Sequence, residues 1–520
     1  MKFLAYGWSS QRSLPAIRAQ VESALTAAHA SGWEWLATAQ REYLDDFWHR
    51  ADVEVEGDDE VQQAVRFALF HVLQASARAE RRPIPAKGLT GTGYDGHAFW
   101  DTETFVLPVL TYTAPDAAAD ALRWRHMIVP KAQERARQLG LEGTAFPWRT
   151  ITGQECSAYW PAGTAAFHIN ADIADATIRQ LWATQDDEFA IEAGVELLAG
   201  TARLWMSLGT LDSDGRFHID GVTGPDEYSA LADNNVYTNL MAQRNLRGAA
   251  DTADRYRERA GELGVTPEEV ARWRKAADGI VVAYDERLRV HPQSDNFTRH
   301  APWDFANTPP ETYPLLLHYP YFQLYRKQVV KQSDLVLALH LRGDAFTPEE
   351  KLRDFDYYEG LTVRDSSLSA CTQAVIAAEV NHLDLAYDYL GEAALMDLGD
   401  LERNTRDGVH IASLAGAWLA LVAGLGGMRD QRDVLCFAPH LAGPLRRLRF
   451  ALTWRGRRLR VDVNAETATY ELLDGEAVDL YHEGERVTVK PGEPVTMPVR
   501  EIPDLPTPHQ PPGRAPHRRH

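Results

Sequence analysis

The chain has 520 residues and a formal net charge of −20, from 54 basic and 74 acidic side chains. That balance repels phosphate backbones and anionic lipid, so nucleic acid and membranes are excluded as partners, and an anionic co-substrate would need a local positive site. With 45% hydrophobic and 25% charged residues the composition is that of a globular protein, long enough for two domains or for one large helical barrel with an appendage.

The opening MKFLAYG reads as an isolated strand, like the last strand of a preceding domain, or as a plain terminal extension. Residues 1–16 are assigned to this strand and a linker. It has neither the apolar core nor the cleavage pattern of a signal peptide, and no stretch of about 18 apolar residues follows anywhere. Residues 17–48 read as helix. From Glu60 to Arg78, Val61, Val65, Leu69, Val72 and Leu73 keep helical spacing, and Asp58 and Asp59 precede them where negative charge favours a helix start.

GLTGTGYDGHAFWDTETFVLPVL, residues 88–110, carries four glycines but matches neither GxxxxGK[ST] nor a strand-led GxGxxG, so it does not read as a nucleotide site. Tyr94, Asp95, His97, Phe99, Trp100 and Asp101 crowd into it. Aromatic faces beside carboxylates suit a sugar, with its apolar C–H faces and hydroxyl rim; a structural loop around a buried tryptophan is the plainer reading. Helices are expected over 101–139 and 167–208, with further aromatic–polar loops at Phe146–Trp148, at Glu155, Tyr159 and Trp160, and at FHINAD (167–172).

HIDGVTGPDEYSALADNNVYTN, residues 218–239, is the most informative stretch. Gly224 and Pro225 break regular structure and expose Asp226 and Glu227, adjacent carboxylates beside Tyr228. A carboxyl held against aromatic surface suits a general acid, whereas a solvated acidic turn is the alternative. Asp233, Asn234 and Asn235 suit the cap of the next helix. Helices follow over 267–288, 327–343, 367–398 and 410–424. VVKQSDLV (Lys331, Gln332), RDSSLSACTQAV (Arg364, Ser366, Ser367, Ser369) and RNTRDGVHIASLAG (Arg403, Thr405, Arg406, His410) each place basic groups or hydroxyls at a helix start, suited to an anion or simply to capping.

About a dozen helices over some 400 residues predict a mainly α protein, a double-layered (α/α)6 barrel spanning 17–435. Near Pro439 the pattern changes. RRLRFALTWRGRRLRVDV, ATYELL and ERVTVKPGEPVTMPV alternate and are rich in Val, Leu and Thr, which predicts a small antiparallel β domain over 436–500. Residues 501–520, rich in Pro, His and Arg without apolar periodicity, are expected to be disordered. Cys156, Cys371 and Cys436 stand far apart with no CxxC, so neither a disulfide framework nor a zinc site is expected, and a cytoplasmic location is.

GYDGHAFWDTE, FHINADIA, TGPDEY, VKQSD, DSSLS and DGVHIASLAG, in that order, resemble glycoside hydrolase family 65, known for maltose, trehalose, kojibiose and nigerose phosphorylases and some hydrolases. The resemblance implies that Glu227 is the general acid, and that Trp100, Asp101, Lys331 and Gln332 bind the glucosyl unit being cleaved. It implies phosphate around Ser369 and His410, with Ser367 as a neighbour. It implies no cofactor and no metal, only a disaccharide and inorganic phosphate, and a homodimer as the assembly. The family's large N-terminal β-sandwich is expected to be absent here.

The implied reaction is inverting phosphorolysis of an α-linked glucose disaccharide to β-glucose 1-phosphate and a free sugar. Two rivals remain open: an inverting α-glucoside hydrolase with Asp365 as base, and a catalytically impaired carbohydrate-binding remnant. An inverting hydrolase needs a second carboxylate about 6.5–9.5 Å from the acid, whereas phosphate is its own nucleophile.

Overall fold

The computed structural model describes residues 2–7, 13–76, 81–430 and 433–519. Two compact units result, Met1–Asp52 and Val53–His520. In the first, α1 (Leu14–Ala51) is interrupted at Gly32, whose φ of 78° and ψ of 165° suit glycine alone. Residues 2–7 carry no strand, so the strand expected at MKFLAYG does not form there; residues 8–12 of the expected linker lie outside the described residues.

The second unit is an (α/α)6 barrel with a small β domain. After the outer helix α2 (Asp59–Ser76), inner and outer helices alternate along the chain. They are α3 (Leu107–Thr113), α4 (Pro115–Met127), α5 (His168–Thr184), α6 (Val195–Leu208), α7 (Val236–Arg255), α8 (Pro267–Gly279), α9 (Asp334–Leu341), α10 (Pro348–Glu359), α11 (Ser369–Glu379), α12 (Leu383–Leu395) and α13 (Ile411–Leu419). The odd-numbered helices from α3 to α13 pack each on the next and close into a ring, α13 meeting α3 and the π-helical turn Thr102–Val106 that leads into it. The even-numbered helices lie outside, with α2 set against α13, α12 and α4.

Burial follows this layering. The inner helices α9, α11 and α13 are buried almost throughout and are apolar almost all round, as an enclosed helix should be. The inner helix α5 is as buried but carries His168, Asp172, Asp175 and Arg179. Those polar groups are matched inside: His168 Nδ1 lies 2.8 Å from Asp172, Tyr237 donates to Asp172 at 2.7 Å, and Arg244 meets Asp175 at 2.5 Å.

Helix ends fall where capping chemistry puts them. Asn235 accepts from Thr238 N at 2.9 Å to start α7, and Thr347 and Glu350 form a capping box at α10. The helix expected over 167–208 is split by Gln185, left-handed at φ 54°, and by Asp186 capping Phe189 N at 3.0 Å. That expected over 101–139 breaks at Ala114–Pro115 and again at Ile128. Regular helix in 327–343 begins only at Asp334, and in 267–288 it ends at Gly279.

The β domain uses strands β1 (Val53–Glu56), β2 (Cys436–Phe437), β3 (Arg447–Trp454), β4 (Arg457–Asn464), β5 (Thr467–Asp474), β6 (Val478–His482), β7 (Glu485–Val489) and β8 (Val495–Pro498). One sheet is antiparallel in the order β1-β3-β4-β5-β8; the other has the order β7-β6-β2, with β2 parallel to β6. β1 pairs Val53 with Phe450, so the domain draws a strand from far outside 436–500.

Residues 501–519 contain no helix or strand, yet they are not the free tail expected of 501–520. Leu505 N donates to Asn381 O at 2.7 Å, Gln510 Nε2 to Glu359 Oε1 at 2.6 Å, and Arg519 Nη2 to Asp58 Oδ2 at 2.8 Å. A segment too polar to build a core of its own is fixed by hydrogen bonds to the outside of the barrel. Among the described residues no helix is long and apolar enough to cross a membrane.

Candidate active site

The chain enters each inner helix at the same end of the ring, and the segments leading into them gather there around a cavity of about 240 Å³. The first wall comes from the glycine-rich segment before α3. Tyr94 and Asp95 both stand in the left-handed region, at φ 54° and 53°, an uncommon backbone for two consecutive non-glycine residues. The turn sends Tyr94 to the cavity and leaves Asp95 exposed, near Arg149 at 3.4 Å. Phe99, Trp100, Asp101 and Trp148 complete this wall. Trp100 is locked edge-on against His168 at 5.0 Å and Phe105 at 5.7 Å, which assigns FHINAD a supporting place behind the wall. The glycines serve close approach: a Cβ on Gly91 would lie 2.4 Å from Asp407 O, in the loop that carries His410.

Asp101 lines the cavity, and burial pushes its carboxyl up to about 6, with Glu103 adding to the rise. Its value is thus raised on folding, so this carboxylate costs stability where it is ionised, above that value, and the cost fades as pH falls through about 6 toward 4. Asp101→Asn is therefore expected to raise the urea midpoint relative to wild type at pH 7.5 and to lose most of that advantage at pH 4.0.

The second wall is the GPDEY turn. Glu227 faces the cavity with its Oε1 2.9 Å from Lys331 Nζ. Asp226 beside it is fully buried and points the other way. Its Oδ1 accepts from Lys331 N at 2.8 Å and Tyr228 N at 3.1 Å, and its Oδ2 from Gln293 at 2.9 Å. Asp334 accepts from Asp226 N at 2.7 Å and from Asn235 Nδ2 at 2.8 Å. Burial raises the values of both carboxyls, and for Asp334 the nearness of Asp226 adds to it. Gly224 is required at this join, because a Cβ there would sit 2.1 Å from Asp334 Oδ2. Tyr159 donates to Glu227 O at 2.9 Å and meets Tyr325 OH at 2.9 Å, so the backbone of the turn is pinned from outside. Burial, then the Glu227 charge, pushes neighbouring Tyr321 up to about 12.

The third wall joins the segments before α9, α11 and α13. Gln332 donates to Pro225 O at 2.7 Å and accepts from Ser366 Oγ at 2.6 Å, bridging the GPDEY turn to the serine loop. Ser366, Ser367 and Leu368 line the cavity, as do Glu402, Asn404, His410 and Ser413. His410 is oriented twice by Asp397, through Nδ1 at 2.7 Å and its backbone N at 2.7 Å.

Of the residues expected at the site, Trp100, Asp101, Glu227, Lys331, Gln332, Ser367 and His410 come together around one cavity. Ser369 does not join them: it is buried as the first residue of α11, its hydroxyl 3.5 Å from Lys331 O, in a smaller void behind the wall. Ser366 faces the cavity in its stead. Arg364 is turned away from any anion site there, paired with Glu392 and donating to Arg514 O. Asp365 touches the cavity, but its side chain is 1% exposed and both oxygens are taken, by Tyr228 OH at 2.6 Å, Leu315 N at 2.8 Å and Arg514 at 2.9 Å. Glu402 and Asn404 were missed; they sit in the same LERNTR run as Arg403 and Arg406, where charge drew attention to the wrong neighbours. Among the described residues no group of three or more His, Cys, Asp or Glu is placed to hold a metal ion.

The sequence matches the Glycosyl hydrolase family 65 central catalytic domain over residues 66–419, and the family's C-terminal domain over 428–489. It is 62% identical over 524 residues to an uncharacterized glycosyl hydrolase of Mycobacterium tuberculosis (strain ATCC 25618 / H37Rv), covering 100% of this chain and 66% of that protein. It is 44% identical to the α,α-trehalose phosphorylase of Geobacillus stearothermophilus and 34% to the kojibiose phosphorylase of Halothermothrix orenii. Those alignments cover 89% and 87% of this chain, and 61% and 62% of the relatives. The chain thus spans roughly two thirds of the length of the curated relatives it matches, 61–66% for these. A solved structure, a putative kojibiose phosphorylase from the human microbiome, superposes with a TM-score of 0.87 at 27% identity, covering 94% of this chain and 68% of that one. The chain belongs to glycoside hydrolase family 65.

Proposed function

We propose that the chain catalyses inverting phosphorolysis of an α-linked glucose disaccharide, giving β-glucose 1-phosphate and a free sugar. Glu227 donates a proton to the glycosidic oxygen as the C–O bond breaks, and a phosphate oxygen forms the new bond to the anomeric carbon from the opposite face. Trp100, Asp101, Lys331 and Gln332 hold the glucosyl unit. Phosphate is held by Ser366, Ser367 and His410, which line the cavity together.

One observation carries this reading over hydrolysis: the Asp365 carboxylate is sealed, both oxygens occupied and the side chain 1% exposed, while the hydroxyls of the serines that follow it line the cavity. Asp365 is therefore out of reach of water as the base an inverting hydrolase needs, and the serines beside it suit an anionic nucleophile. Because the trehalose phosphorylase named above is more similar in sequence than the kojibiose phosphorylase, trehalose heads the substrate panel, followed by kojibiose and maltose. The test is incubation with each sugar, with and without phosphate, assayed for glucose 1-phosphate. Sugar phosphate formed only with phosphate present is the expected result; equal glucose release in both conditions, without sugar phosphate, would sink the proposal.

A further inference from the structure

We propose that Arg514, in the segment beyond the β domain, is a positioning residue for the candidate active site, acting through Asp365 on both the serine loop and the Glu227 turn. The inference rests on the site assignment above, but it concerns a residue outside the barrel and outside the matched family domains.

Asp365 is the meeting point of three stretches of chain. Its Oδ2 accepts from Tyr228 OH at 2.6 Å, and Tyr228 directly follows Glu227. The same oxygen accepts from Leu315 N at 2.8 Å, while Tyr228 OH accepts in turn from Leu316 N at 3.0 Å. Its Oδ1 takes Arg514 Nη2 at 2.9 Å. Ser366 and Ser367, which line the cavity, come next in the chain. One buried carboxylate therefore sets the spacing between the acid's turn and the serine loop.

Burial raises the Asp365 carboxyl value while the Arg514 charge works against that rise. A carboxylate this enclosed keeps its charge at the expense of a partner, and the Tyr228 hydrogen bond is strong only while that charge is kept. Arg514 is built to stay in place. Its Nε donates to Val363 O at 2.6 Å, its own carbonyl accepts from Arg364 Nε at 2.8 Å, and its guanidinium lies over the Tyr313 ring at 4.4 Å. The planar fork serves backbone, carboxylate and ring together, which a lysine cannot reproduce.

The segment is held independently elsewhere. Gln510 bonds to Glu359, and Arg519 to Asp58 and Glu60 at 2.8 and 2.9 Å. Loss of the Arg514 side chain therefore leaves the segment anchored, and Arg519→Ala provides a control that weakens the tether without touching Asp365.

The experiment compares wild type, Arg514→Ala, Arg514→Lys and Arg519→Ala in the full chain, with melting curves run alongside the kinetics. A displacement near 1 Å in a reacting group can cost about 10²-fold, and Arg514→Ala is expected to lose kcat on that scale. Its phosphate KM rises while its disaccharide KM moves much less; Arg514→Lys recovers part of kcat, and Arg519→Ala keeps wild-type kinetics. Wild-type kcat and phosphate KM in Arg514→Ala, whatever its melting temperature, would overturn the proposal. So would equal losses in Arg514→Ala and Arg519→Ala, which would make the residue a tether only. Should wild type release glucose without phosphate, phosphorolysis fails but the variant-to-wild-type ratio is still read on that hydrolysis. Should it turn over nothing, the ratio is read from trehalose and phosphate titrations followed by isothermal calorimetry, and equal affinities overturn it.

Discussion

Glu227→Gln is expected to lower turnover of an unactivated disaccharide by about 10²–10⁴-fold, the usual worth of a positioned general acid. The amide has the shape of the carboxyl and can still accept from Lys331, so the 2.9 Å contact need not be lost. Tyr159 holds the backbone of residue 227 rather than its side chain, and Asp226 anchors the turn through separate bonds. The loss therefore reads proton donation and not folding. The decisive comparison uses two substrates: trehalose, whose leaving group needs a proton, and α-glucosyl fluoride, whose leaving group needs little help. The defect is expected to be large for the first and small for the second. Equal defects on both would remove Glu227 from the acid's role.

Arg125→Ala is expected to destabilise the barrel by about 3–5 kcal/mol, the usual consequence of leaving one member of a buried ion pair alone. Arg125 on α4 grips Glu103 with two parallel bonds, Nε to Oε1 at 2.6 Å and Nη2 to Oε2 at 2.9 Å. The two side chains are 0% and 2% exposed. Glu103 lies in the π-helical turn between Asp101 and α3, so the pair fixes the wall that carries Trp100. Burial already raises the Glu103 value, with Arg125 opposing it. Without the arginine the carboxylate is costly while ionised, so the loss of stability is expected to be larger at pH 7.5 than at pH 5.0. Urea midpoints at both pH values check this, and the Arg125→Leu/Glu103→Leu pair is expected to recover most of the loss. A change below about 1 kcal/mol at pH 7.5 would show that the pair does not hold the turn.

What could be read from the sequence follows from what each element's physics writes into it. The β domain was legible because its strands alternate, one face buried; Arg447–Trp454 and Arg457–Asn464 follow that rule almost residue by residue. Val53–Glu56 was not, since four residues carry too short an alternation and their partner strand lies some four hundred residues on. The helix α5 hid its burial behind His168, Asp172 and Arg179, whose partners are distant in sequence. Motifs brought Glu227, Lys331 and His410 to the site, but side-chain direction was beyond them. Ser366 and Ser369 are three apart at a helix entrance, and one faces the cavity while the other packs behind it. Arg364 read as a free cation because neither Glu392 nor the returning segment at Arg514 is near it in the chain. Proline- and arginine-rich composition predicted disorder for 501–520, and could not register that the barrel's outer surface supplies the missing partners.

The way the chain enters the inner ring has a consequence for how such a protein can change. Toward the cavity the connections are long, as between Leu208 and Val236 or Gly279 and Asp334. At the far end two of them are tight: α3 passes to α4 across Ala114 alone, and α11 to α12 across Val380–His382. Lengthening a loop costs only about 0.6 kcal/mol per doubling, and the cavity-side loops make that cost nearly free of any shift in the ring. An insertion at the far end would instead have to be absorbed by two packed helices. The barrel is thus a frame whose cavity-side loops can lengthen while the helices behind them keep their packing.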